Sequence, residues 1–547
     1  MELNEAVSRI NSISSKSEGI FLQLGNLFPS LLNRNGHTAI QSLREMLSKL
    51  NYGQDEASAK EKEVFVDFTL GGFYMTRVST PNGEQNVISV PKMATSLEAG
   101  APNLPHFPVP VLIGDMAEMD VNVTDGDYTD YNVEVAPSKG NISRQIDPKD
   151  VPYTYGEMYN QNAFYPATQA TLDAPYILRD CRGQNIVVRP FAYNPVTKTL
   201  RVYHHLTISM KKVSDNGENP IINRKKGDIK VDAEMQQSYQ RRFINFGQNG
   251  AKYNFVIDRG EMLVICADQF MAGMEEFVAW KNQSGRPTTM VSVTEAGGNN
   301  DTQIKSYIQN FYNDPNHNLA FVLFVGDYEH ITPHSLSGER SDNWFAQIVG
   351  TDHYDDVMLG RFSVQTDAHL ANHVNKVLYY ERDMPEGLTW VNKGLGIGAI
   401  GAGSGHYGED DYQHIDLIRD TLIHYTYETV TELHGGGGGA SANSISSTIN
   451  QGVGIINYCN HGSETSWGVA NYSNSNVNAL TNDNMLPIVW SVACLNGKFN
   501  YGTDCFAEAW MRAINNSNGT PTGAIGGMFS WMSQPWTPPM YGQDEMV

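Results

Sequence analysis

The chain has 547 residues, 40% hydrophobic and 18% charged, a globular composition long enough for about three to five folding units. With 38 basic against 60 acidic residues its net charge is −22, which argues against a nucleic-acid partner held through phosphates. No apolar run of about 18 residues occurs, so no membrane span is expected, and the start MELNEAVSRINSISSK shows no secretory signal in this chain.

Residues 1–62 read as a short helical segment. Ile40, Leu43, Met46, Leu47 and Leu50 recur at helical spacing, and Thr38 with Gln41 makes a capping box. From 63 the texture turns to β: VFVDFTL, VPVLIG, IVVRPFAY and LRVYHHLTISM are short β-branched and aromatic runs parted by Gly, Pro, Asn and Asp. An antiparallel sandwich or barrel-like domain is expected there, followed by a polar linker with a helical tail over 214–242.

After Lys252 continuous apolar runs (GEMLVICA, LAFVLFVGD, LGIGAIGA, GVGIINYCNHG, LPIVWSVACLNG) alternate with helical stretches. That alternation predicts a parallel α/β sheet covered on both faces, with function gathered at the carboxyl ends of its strands. Gly396-x-Gly398-x-x-Gly401 matches a dinucleotide fingerprint only as a string, since it lies inside a strand-like run and opens no helix.

Two neighbouring runs end in reactive side chains. GIINYCN stops at His461-Gly462, and IVWSVA stops at Cys494, 33 residues later. Parallel strands joined by a crossover would bring both to one sheet edge, where a histidine can draw the proton from a thiol. The N–H groups of Gly462 and Cys494 could then hold an oxyanion. The alternative is that His461 ends a strand and Cys494 is a small buried hydrophobe. Five cysteines without a C-x-x-C pair make neither a disulfide scaffold nor a zinc site, and Cys459 and Cys505 read as core residues. Asp327, Asp352, Asp355 and Asp356 offer hard oxygen ligands that could suit calcium. A solvated acidic loop is the competing reading.

NYCNHGSETSWG (457–468) and VACLNGKF (492–499) resemble the His and Cys motifs of the gingipain family of bacterial cysteine endopeptidases. The likeness covers about 65–547 and is strongest to the arginine-specific branch, through FVAWKNQSGRPT, FVGDYEHI, SDNWFAQIVGTDHYDDVMLGRFS, YGEDDYQH and QPWTPPMYGQDEM. APSKGNISRQIDP, APYILRDCRGQ and YNPVTKTLRVY are similar to the family's prodomain.

The resemblance implies a caspase-like α/β catalytic domain of two sheet subdomains (253–385 and 386–547), preceded by a β-rich inhibitory prodomain with linker (63–252). It implies a zymogen of a secreted or cell-surface bacterial endopeptidase cutting after Arg, with Lys as a second candidate, and needing no catalytic cofactor, though structural calcium occurs in family members. Cys494 would be the nucleophile and His461 the general base and acid. Asp411 would form the floor of the specificity pocket, with Trp536, Met540 and Gln534 around it. Without the resemblance, Asp411 reads as the N-cap of the helix beginning YQHIDLI. Lys139 is the first candidate for a prodomain latch filling that pocket and Arg144 the second. Cleavage at Lys252, before Tyr253, would mature the protein.

Two departures stand out. Where arginine-specific members carry a Glu that orients the histidine, this sequence has Gly401 or Ala402, leaving Glu409, Asp410 or a backbone carbonyl for that task. The sequence also stops at Val547 soon after GQDEM, where the family pattern continues. Rival readings are the related sortase-like peptidase that trims secretion signals, and an inactive adhesive domain keeping the fold as a binding surface.

Overall fold

The computed structural model describes residues 63–90, 93–222, 229–247, 255–336, 339–401, 403, 405 and 408–546. The N-terminal helical segment, Ala402, and the Lys252–Tyr253 cleavage point lie outside these residues.

Between 63 and 214 the chain forms antiparallel sheets. The long strands Glu118–Asn132 and Thr199–Ser214 pair along their length, with Val64–Thr69 and Phe191–Asn194 also on the second of them. A second sheet centres on Cys181–Val188, paired with Pro105–Leu112. Alternation decides which faces turn inward: Val66, Phe68, Leu200, Val202, Leu206, Ile208 and Met210 are buried together with Val109, Val111, Ile186 and Val188 from the other sheet. The helical tail is Ala233–Arg242, capped by the Asp232 carboxylate on the Met235 N–H.

From 261 onward the pattern becomes parallel α/β, as the apolar runs predict. One four-stranded sheet runs Thr288–Ser292, Glu261–Cys266, Leu319–Val325, Met358–Phe362. A five-stranded sheet runs Thr429–His434, Lys393–Gly398, Ile455–Cys459, Ile488–Val492, Gly526–Phe529. All their neighbouring strands are parallel. LAFVLFV is buried along nearly its whole length because helices cover both faces of its sheet.

Polar side chains join the two sheets. Lys376, on the helix Asp367–Leu378, is buried and donates to the carbonyls of Trp510 (3.2 Å), Met511 (2.7 Å) and Ala524 (3.2 Å). Burial pushes its amine down to about 7. Arg512 reaches Asp327 at 3.0 Å and Glu508 at 2.7 Å, also away from solvent. Among the described residues no helix is long and apolar enough to cross a membrane.

Candidate active site

The strands Ile455–Cys459 and Ile488–Val492 are adjacent and parallel, with Cys459 opposite Val492. His461 and Cys494 each follow two residues past that paired position, so both leave the sheet at the same carboxyl edge. Their loops touch at Gly462. A Cβ there would lie 2.8 Å from the Ala493 Cβ and 3.0 Å from the Cys494 carbonyl oxygen, so the approach requires glycine. Asn496 joins the loops from below, donating to the carbonyls of Ser463 (2.6 Å) and Ser466 (3.1 Å) while accepting from the Ser491 hydroxyl (2.9 Å). Leu495, at φ 62°, turns the chain directly behind Cys494.

Cys494 is buried, and its Sγ accepts the Gln534 N–H at 3.3 Å. The His461 ring meets the Trp536 indole edge to face, centroids 5.3 Å apart. Burial, reinforced by the nearby Arg144 cation, holds the His461 imidazole below its ordinary value. Neither acidic neighbour proposed to orient this ring does so. Glu409 lies 3.8 Å from His414 Nδ1. Asp410 forms a capping box with Gln413 on the helix Asp411–His424. The N-cap is thus Asp410, and Asp411 stands inside the first turn, free of that duty.

Asp411 has no exposed surface. Two glycines let it sit where it does: a Cβ on Gly398 would lie 2.6 Å from the Tyr412 Cα, and one on Gly401 would meet the Asp411 carboxylate at 2.8–3.0 Å. The G-x-G-x-x-G string therefore serves close helix–strand packing. Asp411 Oδ2 accepts from Asn460 Nδ2 at 2.9 Å and from the Arg144 guanidinium (Nη1) at 3.1 Å. Among the described residues Oδ1 has no hydrogen-bond partner. Arg144 thus meets Asp411 through a single oxygen, shared with Asn460, and not as a fork across both. Arg144 Nη2 donates to the Trp536 carbonyl (3.3 Å) and to Cys459 Sγ (3.4 Å), and its guanidinium carbon lies 4.8 Å from the Trp536 ring centroid. Met540 is buried behind the pocket, in an apolar cluster with Cys459, Ile415, Ile418 and Leu422.

The segment carrying Arg144 pairs with the chain beside Cys494. Arg144 N–H donates to the Gln534 carbonyl (2.8 Å), Trp536 N–H donates to the Ile142 carbonyl (2.9 Å), and Ser143 bridges Pro535 in antiparallel sense. The Trp536 indole N–H then reaches the Ile146 carbonyl (2.9 Å), and the Gln145 amide reaches the Ser533 hydroxyl (2.7 Å).

Lys139 does not enter the pocket, and the latch expectation for it is corrected. Its ammonium bonds the Pro148 carbonyl at 2.7 Å and lies 4.3 Å from the Tyr153 ring centroid, a local arrangement five residues before Arg144. The second candidate, Arg144, is the one whose guanidinium lies on Asp411.

The calcium set is corrected as well. Asp327 is tied to Arg512. Asp352 Oδ2 accepts the Ile177 N–H (2.8 Å) and the Asn219 amide (2.6 Å). Asp356 accepts the N–H groups of Arg179, Ile348 and Val349, and Asp355 accepts the Asn343 amide. These carboxylates are spread over different bonds and do not converge on one point, so they do not fit a single calcium. Nor are Asp327 and Asp356 solvated, since both are buried. Asp416, Glu432 and His434, missed in the sequence, come closest to metal-ligand spacing among the described residues. Arg419 already pairs with Glu432, and His434 Nε2 with Asp416 at 2.9 Å. The sequence reading also missed Asn460, whose signal was its place immediately before His461; Cys459 is the core residue expected, and its Sγ also meets Arg144.

With this geometry in view, comparison with known proteins is direct. The profile of peptidase family C25 matches residues 258–541, and that of the C25 propeptide matches residues 56–247. Gingipain R1 of Porphyromonas gingivalis is 37% identical over 494 residues, covering 89% of this chain and 49% of the relative. Gingipain R2 of the same species is 35% identical over 494 residues, covering 89% and 66%. This chain therefore spans about half the length of gingipain R1. The crystal structure of the Arg specific cysteine proteinase gingipain R is similar at TM-score 0.51 and 36% identity, over 52% of this chain and 66% of that one. The complex of the Porphyromonas gingivalis RgpB pro- and mature domains is similar at TM-score 0.51 and 36% identity, over 52% and 67%. The chain, an antiparallel β propeptide followed by parallel α/β sheets with the His and Cys motifs at one sheet edge, belongs to peptidase family C25, a family of cysteine peptidases.

Proposed function

We propose that this chain is the latent precursor of an endopeptidase that cuts after arginine, with its own propeptide as the inhibitor. The observation that carries the reading is the buried Arg144 guanidinium on Asp411, delivered by a main chain that pairs antiparallel with 534–536 as a bound substrate would. A desolvated cation needs a fixed anion to offset lost hydration, and Asp411 supplies it. The indole of Trp536 favours a planar guanidinium over an ammonium.

In this reading the Cys494 thiolate attacks the carbonyl carbon following the pocketed side chain, and His461 gives its proton to the leaving amine. The N–H groups of Gly462 and Cys494 would take the developing oxyanion. Water then attacks the thioester, releasing acid and thiol. Matching partners are peptides with a basic residue before the cut, and the matching location is outside a bacterial cell. Maturation would separate 63–252 from 253–547 at Lys252.

Mass spectrometry of products from a mixed peptide library, using matured protein, tests the reading. Cuts after Arg are expected, and cuts lacking a basic residue on that side would overturn it.

A further inference from the structure

Asp411 meets the guanidinium through one oxygen and leaves Nη2 to other acceptors. We propose that Cys459 is a specificity-determining residue of the pocket, its sulfur accepting the second terminal nitrogen of a bound arginine and so selecting a forked cation over a linear one. The inference rests on the reading of Asp411 as the pocket floor.

Three observations support it. Cys459 is fully buried and its Sγ lies 3.4 Å from Arg144 Nη2. Asp411 meets the guanidinium only through Oδ2, which it shares with the Asn460 amide at 2.9 Å, so Nη2 is bonded by Cys459 and the Trp536 carbonyl and not by the carboxylate. Arg144 has no exposed surface, and all three acceptors named, Asp411 Oδ2, Cys459 Sγ and the Trp536 carbonyl, sit at the far end of its side chain.

The chemistry follows from side-chain length. The lysine nitrogen stands at the position of the guanidinium carbon, one bond short of the terminal nitrogens. It can turn toward Asp411 but cannot at the same time satisfy acceptors set for Nη2. A thiol suits this place because it accepts weakly and carries no charge. A second carboxylate here would repel Asp411. Burial pushes the Cys459 thiol well above its ordinary value, beside the anionic Asp411, so it remains neutral and is no rival nucleophile to Cys494.

The test compares kcat/KM on peptides identical except for Arg or Lys before the cut, using matured parent, Cys459→Ala, Cys459→Ser and Asp411→Asn. Losing one hydrogen bond from a charged donor to a weak sulfur acceptor should lower the Arg value of Cys459→Ala roughly 3- to 10-fold and leave the Lys value within about twofold. Cys459→Ser, which restores an acceptor, should recover most of the Arg preference. Equal losses on both substrates, or an unchanged Arg-to-Lys ratio, would overturn the role of Cys459. Asp411→Asn separates the two readings. If it too leaves Arg cleavage intact, the pocket assignment fails. If it abolishes Arg cleavage while Cys459→Ala changes nothing, only the present inference fails.

Discussion

Arg144 and Asp411 are 267 residues apart in the sequence and 3.1 Å apart in the structure, both buried. Withdrawing either partner leaves an uncompensated charge, at a cost of about 3–5 kcal/mol when no water enters. The Arg144→Ala precursor should therefore melt at a lower temperature and turn over Arg peptides at least about tenfold faster than the parent precursor, since the pocket is opened. Initial rates taken before any processing, with chain integrity followed on gels, would show this. A precursor as silent as the parent would remove Arg144 from latency.

Lys139→Ala serves as the counterpart. Its ammonium is held by a neighbouring carbonyl and a tyrosine ring, outside the pocket. The same rate measurement should find the variant as latent as the parent.

Cys494→Ala should abolish peptide cleavage and shift the melting temperature little, because it removes one small sulfur whose hydrogen bond from the Gln534 N–H is weak. Cleavage that persists in this variant, measured on a fluorogenic Arg peptide, would assign the nucleophile elsewhere.

The depressed His461 imidazole gives latency a pH dependence. In the latched state the ring binds a proton less readily than the ordinary 6.5, through burial and the Arg144 charge. Release removes the Arg144 cation and so raises the ring's proton affinity, and protons favour the released state as pH falls toward the ring's own range. A precursor already cut between propeptide and peptidase should lose its propeptide more readily at about pH 5.5 than at about pH 7.5, as read by size exclusion. His461→Gln should flatten that difference.

Lys376 carries a second pH signature, in stability. Its amine sits near 7 when folded and near 10.5 when exposed. Between those values the unfolded chain holds the extra proton, so this group adds stability as pH rises from 7 toward 10.5 and loses it as pH falls through 7. Denaturant unfolding of the parent and of Lys376→Met at three pH values should give a steeper rise for the parent. Parallel curves would contradict the assignment.

Period and strand chemistry carried most of the architecture. The alternating runs over 63–212 and the continuous apolar runs after 252 each state their own kind of sheet, because one buried face and two buried faces leave different patterns. The meeting of His461 and Cys494 at one edge was legible from the same runs. The latch was harder. Lys139 and Arg144 are both cations in one polar turn, and only the antiparallel pairing with 534–536, formed across almost 400 residues, decides which side chain faces Asp411. The acidic residues 352–356 misled for a related reason. A carboxylate that accepts main-chain N–H groups looks, in sequence, the same as one awaiting a cation.

Those main-chain bonds have a consequence of their own. Asp352 and Asp356 hold the propeptide through the amides of Ile177 and Arg179, which every residue except proline presents. The hold depends on the course of the chain at 177–179, and side chains add to it: the Asn219 amide on Asp352 and the Arg179 guanidinium on Asn318 (2.9 Å). A proline at 177 or 179 should remove one of these main-chain bonds and loosen the propeptide with every contact at the cleft left intact.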